Sequence, residues 1–554
     1  MRMCVTMNIL KRVQISLLVL VLPAAFVSAA QAQGPSLAEE MTRFLECYPV
    51  ELVVRDQQNH AIRQKDVCLA TIYHETGAQP LWVTADGPGT RAAVILKYLK
   101  NAAEEGLDAG SYEVEEIEAL WHDPSLSSLA RLDTLLTFNA VKYIHNVNQG
   151  EFEPYVVDPE LFAEAGKQQF TPVDIVERMI AATDLDRFFR QMPPQNMHYR
   201  ALKAGLAVYR NMEQSTALEE IERNTTIHPG DNDGRIPLIR GRLALFAGRV
   251  PNQDERTLYD DHLEEQILLF QELHGLQRDG LIGPQTIAAL NISPAERVEQ
   301  IRVNMARWRW QDHDIGEEYV LVNIANFRLY AYRGGELQLN IPVIVGQFQH
   351  QTPVFSDQIK YLEINPFWNI PPSIAVNEKL SELRENPHSL VEKNIRLFSS
   401  WQEDGIELDS TAIDWAGVTP GQMARYKLRQ DPGPSNALGQ LKFVFPNHYS
   451  VYLHDTPTKN LFTKERRYFS HGCIRVSTPV QLAVFMLEEN EQSWNEAKIR
   501  ELIASQKRKV LRISPPLPVH LTYQTAWVDK NGRIHFNEDI YARDKKLLKA
   551  LNIK

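Results

Sequence analysis

Near Glu318 the hydrophobic period of this 554-residue chain changes, and that change limits the possible folds more than any other feature. Before it, apolar residues recur at helical spacing: Ile95, Leu99 and Ala103, then Leu132, Leu135, Leu136 and Tyr143, then Leu263, Ile267, Phe270 and Leu273. After it the pattern alternates. Tyr319 to Ile324, Leu329 to Tyr332 and Leu337 to Val345 read as strands, with Arg333-Gly334-Gly335-Glu336 as a hairpin turn. Further strands are expected at Ile359 to Ile364, Leu441 to Phe445, Ser450 to Leu453, Val519 to Val528 and Arg533 to Phe536. Helices and strands that segregate rather than alternate make a multidomain α+β chain.

The helical part divides at Arg223 to Gly234, a polar stretch with Pro229-Gly230 and Asp231-Asn232-Asp233-Gly234 that reads as a linker. A helical scaffold is expected over 36–235 and a small helical unit over 236–310, where Gly275 ends one helix and Pro284 opens another. The strand-rich part spans 318–515 and is interrupted at about 373–435 by a polar, helix-leaning insertion. An insertion of that length between strands commonly covers a site, so a lid is expected there. Strands and a tail at 516–554 are expected to pack back on the strand-rich or scaffold region.

Residues 1–32 have the order of a secretory signal: Arg2, Lys11 and Arg12, then the apolar run Ile15 to Val27, then Ala30-Gln31-Ala32. An uncleaved anchor is the alternative, and either places the remainder outside the cytoplasm. Without tight membrane insertion after cleavage, the periplasm is the expected location. Loss of the segment removes three positive charges and moves the formal net charge from −11 to −14. That balance argues against sequence-independent nucleic-acid binding, which needs a basic surface. Three cysteines then remain: Cys47, Cys68 and Cys473. Cys47 and Cys68 are either a disulfide or two buried thiols, and Cys473 is left over on both readings.

The chemistry sits in one window, Tyr452-Leu453-His454-Asp455-Thr456-Pro457 followed by Ser470-His471-Gly472-Cys473-Ile474-Arg475-Val476. A thiolate is the nucleophilic form of cysteine, and an imidazole can take the thiol proton. Gly472 permits close backbone approach beside the sulfur, and the amides of Gly472 and Cys473 could face an oxyanion. His454 and His471 both qualify as base by type, and spacing does not choose between them.

Ser470-His471-Gly472-Cys473-Ile474-Arg475 with an upstream histidine resembles the signature of the YkuD-like L,D-transpeptidases. Ile364-Asn365-Pro366-Phe367-Trp368-Asn369-Ile370-Pro371-Pro372, Asn436-Ala437-Leu438-Gly439 and Leu453-His454-Asp455-Thr456-Pro457 are similar to the large Gram-negative members. So are Pro80-Leu81-Trp82 and Gly106-Leu107-Asp108 in the helical scaffold. Phe270 to Leu276 and Asp279 to Thr286 resemble a three-helix peptidoglycan-binding domain. The resemblance implies a mainly-β YkuD-like catalytic domain with Cys473 as nucleophile, His454 as base and the Asp455 carbonyl orienting that ring. It implies that Ser470, His471 and Gly472 shape the oxyanion site. For Arg475, contact with a substrate carboxylate and a structural ion pair both stay open.

The implied reaction is peptidoglycan cross-linking. Cys473 attacks a tetrapeptide stem at its third residue and expels D-alanine, and an amine of a second stem resolves the thioester to a 3→3 link. The implied partners are donor and acceptor stems, with other cell-wall synthases left open; carbapenems would acylate the thiol, and no cofactor is needed. Water or a lipoprotein lysine as acceptor would make the same chemistry a carboxypeptidase, an endopeptidase or a tether. A non-enzymatic wall-binding scaffold is the reading from another class. His448, His454, His471 and Cys473 lack the tight spacing of closed zinc sites, so no metal is expected.

Overall fold

The computed structural model describes residues 36–47, 51–55, 61–66, 73, 79–152, 154–158, 170–213, 218–247, 256–488 and 494–551. The expected signal segment and Cys68 lie outside the described residues, so the Cys47–Cys68 alternatives do too.

The described chain up to Arg309 is mostly helical, apart from two strand pairs, the longer being Glu51–Arg55 with Ala61–Asp66, and isolated bridges. Its longest helix, Leu126–Gln149, starts where the Ser125 hydroxyl accepts the Ser128 amide, and it buries Leu132, Leu136, Ala140 and Ile144. Asp133 is buried on that helix, which a carboxylate tolerates only with partners. It accepts the amides of Leu81 (3.0 Å), Trp82 (2.7 Å) and Val83 (3.0 Å) and the Tyr73 hydroxyl (2.5 Å). Each donor left unpaired by its loss would cost about 1–3 kcal/mol. The Pro80-Leu81-Trp82 segment is therefore fastened to the scaffold by its backbone.

A second core joins Ile236–Phe246, Asp261–Leu273 and Pro284–Leu290 through Ile239, Leu263, Ile267, Ile287 and Leu290. The stretch expected as a linker belongs to it. Ile227 is buried in this core and bridges to Ile282, and the Gly230 amide donates to the Tyr259 carbonyl at 2.8 Å. Its turns bend around the helices, so polarity marked a surface segment and not a free connection. The helix Pro294–Arg309, expected in the same unit, instead packs beside Met197–Glu213 against the sheet, in a core with Tyr199, Leu202, Met305, Trp308, Tyr319 and Tyr330.

The sheet has nine strands: β1 (Glu318–Asn323), β2 (Arg328–Arg333), β3 (Glu336–Gly346), β4 (Phe355–Ile364), β5 (Leu441–Val444), β6 (Leu453–His454), β7 (Tyr468–Ser470), β8 (Ile474–Val476) and β9 (Lys509–Thr522). Their order is β7-β3-β8-β6-β5-β4-β9-β1-β2, and β3 also pairs with β2, so the sheet closes on itself. The turn between β2 and β3 is the expected one, with both Gly334 and Gly335 at positive φ. β9 begins ten residues before the expected strand. Pro515 and Pro516, which lack ladder N–H groups, sit where its register with β4 shifts between Arg512 and Leu517.

The insertion forms its own four-stranded sheet from Trp368–Ile370, Ile395–Phe398, Glu407–Leu408 and Lys427–Gln430. It has its own core, including Leu380, Leu383, Leu397, Trp415 and Leu428. Asn436 closes its neck: the buried amide donates to the carbonyls of Pro366 (3.1 Å) and Asp431 (3.0 Å). Among the described residues no helix is long and apolar enough to cross a membrane.

Candidate active site

The register of β5, β6 and β8 builds the site. β6 and β8 run parallel, with Leu453 opposite Ile474 and His454 opposite Arg475, and the Ile474 amide donates to the Tyr452 carbonyl at 3.1 Å. Side chains alternate along a strand. Tyr452 and His454 therefore share a face with Cys473 and Arg475. β5 sets Lys442 opposite His454, and β4 sets Glu363 opposite Lys442. One row across four strands thus carries Glu363, Lys442, His454 and Arg475, with Tyr452 and Cys473 beside it.

His454 is buried, and its Nδ1 lies 2.5 Å from the Asp455 carbonyl oxygen. Donation from Nδ1 to that carbonyl leaves Nε2 as the acceptor. The Asp455 side chain fixes that carbonyl: it accepts the Gln440 amide at 2.9 Å and pairs with Lys459, while its own amide donates to the Leu441 carbonyl at 2.8 Å. Gly439, at φ +59°, lies so close that a Cβ there would strike the Asp455 carboxylate.

Cys473 is a free thiol with part of its surface open, and its sulfur lies 3.7 Å from the Ser450 carbonyl. Burial raises its pKa above the usual thiol value, opposed by hydrogen bonding from Tyr452 and by the charges of Lys442 and Arg475. His454 moves the other way, down to about 3, because burial and then the Arg475 charge disfavour the imidazolium. The resting pair is consequently thiol and neutral imidazole. A neutral imidazole on the same face as a thiol is a group that can act as general base toward it.

The loop before the thiol is pinned from both sides. The Ser470 hydroxyl donates to the Cys473 carbonyl at 2.5 Å and accepts the Gly472 amide at 3.1 Å. The Gly472 amide, one of the two expected oxyanion donors, is therefore already engaged with Ser470, in a loop where Gly472 takes a φ of +110°. Among the described residues the Cys473 amide has no such partner, and it stands next to the sulfur. The Thr352 hydroxyl donates to the Gly472 carbonyl at 2.8 Å, and Tyr541 and Arg543 hold the 346–352 segment through Gly346 and Gln351.

His471 is not part of this row. It is half-exposed, its Nε2 is 2.6 Å from Glu378 Oε1 in the insertion, and its ring stacks on His350 with centroids 4.9 Å apart. Arg475 lies on the thiol face; burial depresses its pKa and the nearby Cys473 opposes that, while its Nη1 donates to the Thr458 hydroxyl at 3.4 Å. No carboxylate pairs with Arg475 among the described residues. Tyr452, Lys442 and Glu378 were not singled out from sequence. The alternation of β5 would have found Lys442 only with the strand register in hand. Among the described residues no group of three or more His, Cys, Asp or Glu side chains is placed to hold a metal ion.

Comparison with known proteins follows this division of the chain. Residues 317–491 match the YkuD L,D-transpeptidase catalytic domain, 68–206 a scaffold domain, and 236–290 the "Putative peptidoglycan binding domain". A Haemophilus influenzae protein named "Putative L,D-transpeptidase" is 36% identical over 228 residues, 41% of this chain and 45% of that protein. The match thus spans less than half of the relative's length. Among solved structures, an L,D-transpeptidase from Mycobacterium smegmatis is 12% identical over 37% of this chain and 58% of its own, with a TM-score of 0.19. Another from Xylanimonas cellulosilytica is 14% identical over 54% and 99%, with a TM-score of 0.17. The strand-rich domain belongs to the YkuD family of L,D-transpeptidase catalytic domains. The chain joins it to a scaffold domain and a peptidoglycan-binding domain.

Proposed function

We propose that this protein is a periplasmic L,D-transpeptidase that forms 3→3 peptidoglycan cross-links through a thioester on Cys473. The observation that carries the reading is the register of β6 and β8, which sets a neutral imidazole and a partly open thiol on one face. The thiol attacks the carbonyl of the third stem residue while His454 Nε2 takes its proton. The tetrahedral oxyanion is held at the Cys473 amide. His454 then gives the proton to the departing D-alanine nitrogen, and the C–N bond breaks to leave the thioester.

Substrate charge supports this sequence. Arg475 is the main charge that depresses His454 after burial itself. A donor carboxylate placed on Arg475 would cancel part of that effect and make the imidazole a better base when a substrate is bound. Arg475 thus acts on the substrate carboxylate, Ser470 shapes the loop, and His471 borders the site without moving the thiol proton. Purified protein given disaccharide-tetrapeptides should release D-alanine and yield a 3→3 dimer on mass spectrometry. Tripeptide alone, with no dimer at any acceptor concentration, would make it a carboxypeptidase instead.

A further inference from the structure

Charge is divided unevenly around Cys473. The inner wall is cationic: Lys442, Arg475 and Lys459 are near enough to bear on Cys473 or His454. The carboxylates on that side are engaged, Glu363 with Arg508 at 3.0 Å and Asp455 with Lys459 and the Gln440 amide. Such a wall suits a donor stem, which carries carboxylates, and repels an ammonium group. Yet an acceptor amine is ordinarily protonated, with a pKa of about 10. It has to reach the thioester and lose a proton before it can attack.

On the other side stands Glu378. It lies in the π-helical turn Ala375–Lys379 of the insertion, an irregularity often found at functional sites. Oε1 meets Nε2 of His471 at 2.6 Å, two residues from the thiol, and the carboxylate is about half-exposed. His350 backs the imidazole.

We infer that Glu378 and His471 form the site that receives the acceptor amine, an inference resting on the transpeptidase reading above. The carboxylate binds the ammonium, and the Glu378–His471 pair takes one proton from it and passes that proton to solvent. The neutral amine attacks the thioester carbonyl, so a C–N bond forms and the C–S bond breaks. The second amine proton travels through His454 to the leaving sulfur and restores the thiol. Water needs no such carboxylate, so the site biases the thioester toward amines.

The test uses the full mature protein, a disaccharide-tetrapeptide donor, and a tripeptide stem that can serve only as acceptor. Glu378→Gln should leave D-alanine release without acceptor within about twofold of the parent. It should raise the tripeptide concentration for half-maximal cross-linking by about tenfold, the lower end for a hydrogen bond to a charged group. Glu378→Asp should recover most of this. An unchanged acceptor dependence in Glu378→Gln overturns the inference. So does faster thioester hydrolysis without acceptor, which would make Glu378 a latch on the insertion. Absence of any thioester in the parent is a different result, and it sinks the transpeptidase reading itself.

Discussion

The neutral resting pair has a pH signature that an ion-paired cysteine lacks. His454 is 5% exposed and its pKa is down to about 3. Against an ordinary histidine near 6.5, that is on the order of 5 kcal/mol opposing the imidazolium. At pH 7 only about one imidazole in 10⁴ is protonated on that basis. Burial also raises the thiol above its usual value, so less thiolate is present than the few per cent of a free cysteine. The sign follows. The base form of His454 persists at any pH above about 3, and thiolate appears only on the alkaline side of the ordinary thiol range. Alkylation of Cys473 by iodoacetamide, which reads thiolate, should climb with a single alkaline ionisation and show no plateau at low pH. Donor acylation should be nearly flat between about pH 5 and 8. The comparison is made on the full protein, with thiolate ultraviolet absorbance recorded on the same samples. An iodoacetamide plateau reaching down to about pH 5, or an acid limb in acylation centred near 6, would refute the neutral pair.

Substitutions at four positions probe the rest of the site. Cys473→Ala and Cys473→Ser should abolish cross-linking with a near-parental melting profile, and a carbapenem adduct, seen by peptide mapping on the parent, should vanish in both. His454→Ala should lower acylation by about 10² or more, and His471→Ala should lower it less; the reverse order would exchange the two histidines. Gly439→Ala forces a side chain into the left-handed region and against Asp455, so calorimetry should show about 2–4 kcal/mol of destabilisation, and acylation should fall because the Asp455 carbonyl aims His454. Full activity in a Gly439→Ala protein of parental stability would remove that carbonyl from the account.

What could be read without coordinates was whatever local chemistry decides. The period change near Glu318, the paired glycines at 334 and 335 and the helix start at Pro284 depend on neighbours a few residues away. The window around His454 and Cys473 was legible because a glycine-flanked cysteine suits neither a core strand nor an apolar helix face. Register was not legible. Nothing in Leu441 to Val444 says that Lys442 will stand opposite His454, since a slip of one residue would turn it to the other face. The contact of the Gly472 amide with Ser470 was not legible either, because it depends on how the loop brings a hydroxyl two residues away onto that amide. Prolines hid the start of β9, and a polar sequence hid the packing of 223–234, because tertiary contacts outweigh local propensity in both.

The closed sheet explains why the thiol loop can be held so firmly while its mouth stays open. Thr352 anchors Gly472 from below; Tyr541 and Arg543 anchor the segment that carries Thr352; Arg543 and Lys546 in turn meet the buried Asp158 of the helical region. The far end of the chain thereby fixes the geometry of a loop some seventy residues earlier. A buried Asp with two cationic partners would not stabilise by charge alone, since desolvation offsets much of the attraction. Its effect is to select one position for the C-terminal helix, and through it one position for the catalytic loop. The insertion has a core of its own and meets that loop through Glu378 and His471. The thiol loop is thus held from the helical region, and the insertion reaches it on the side of His471.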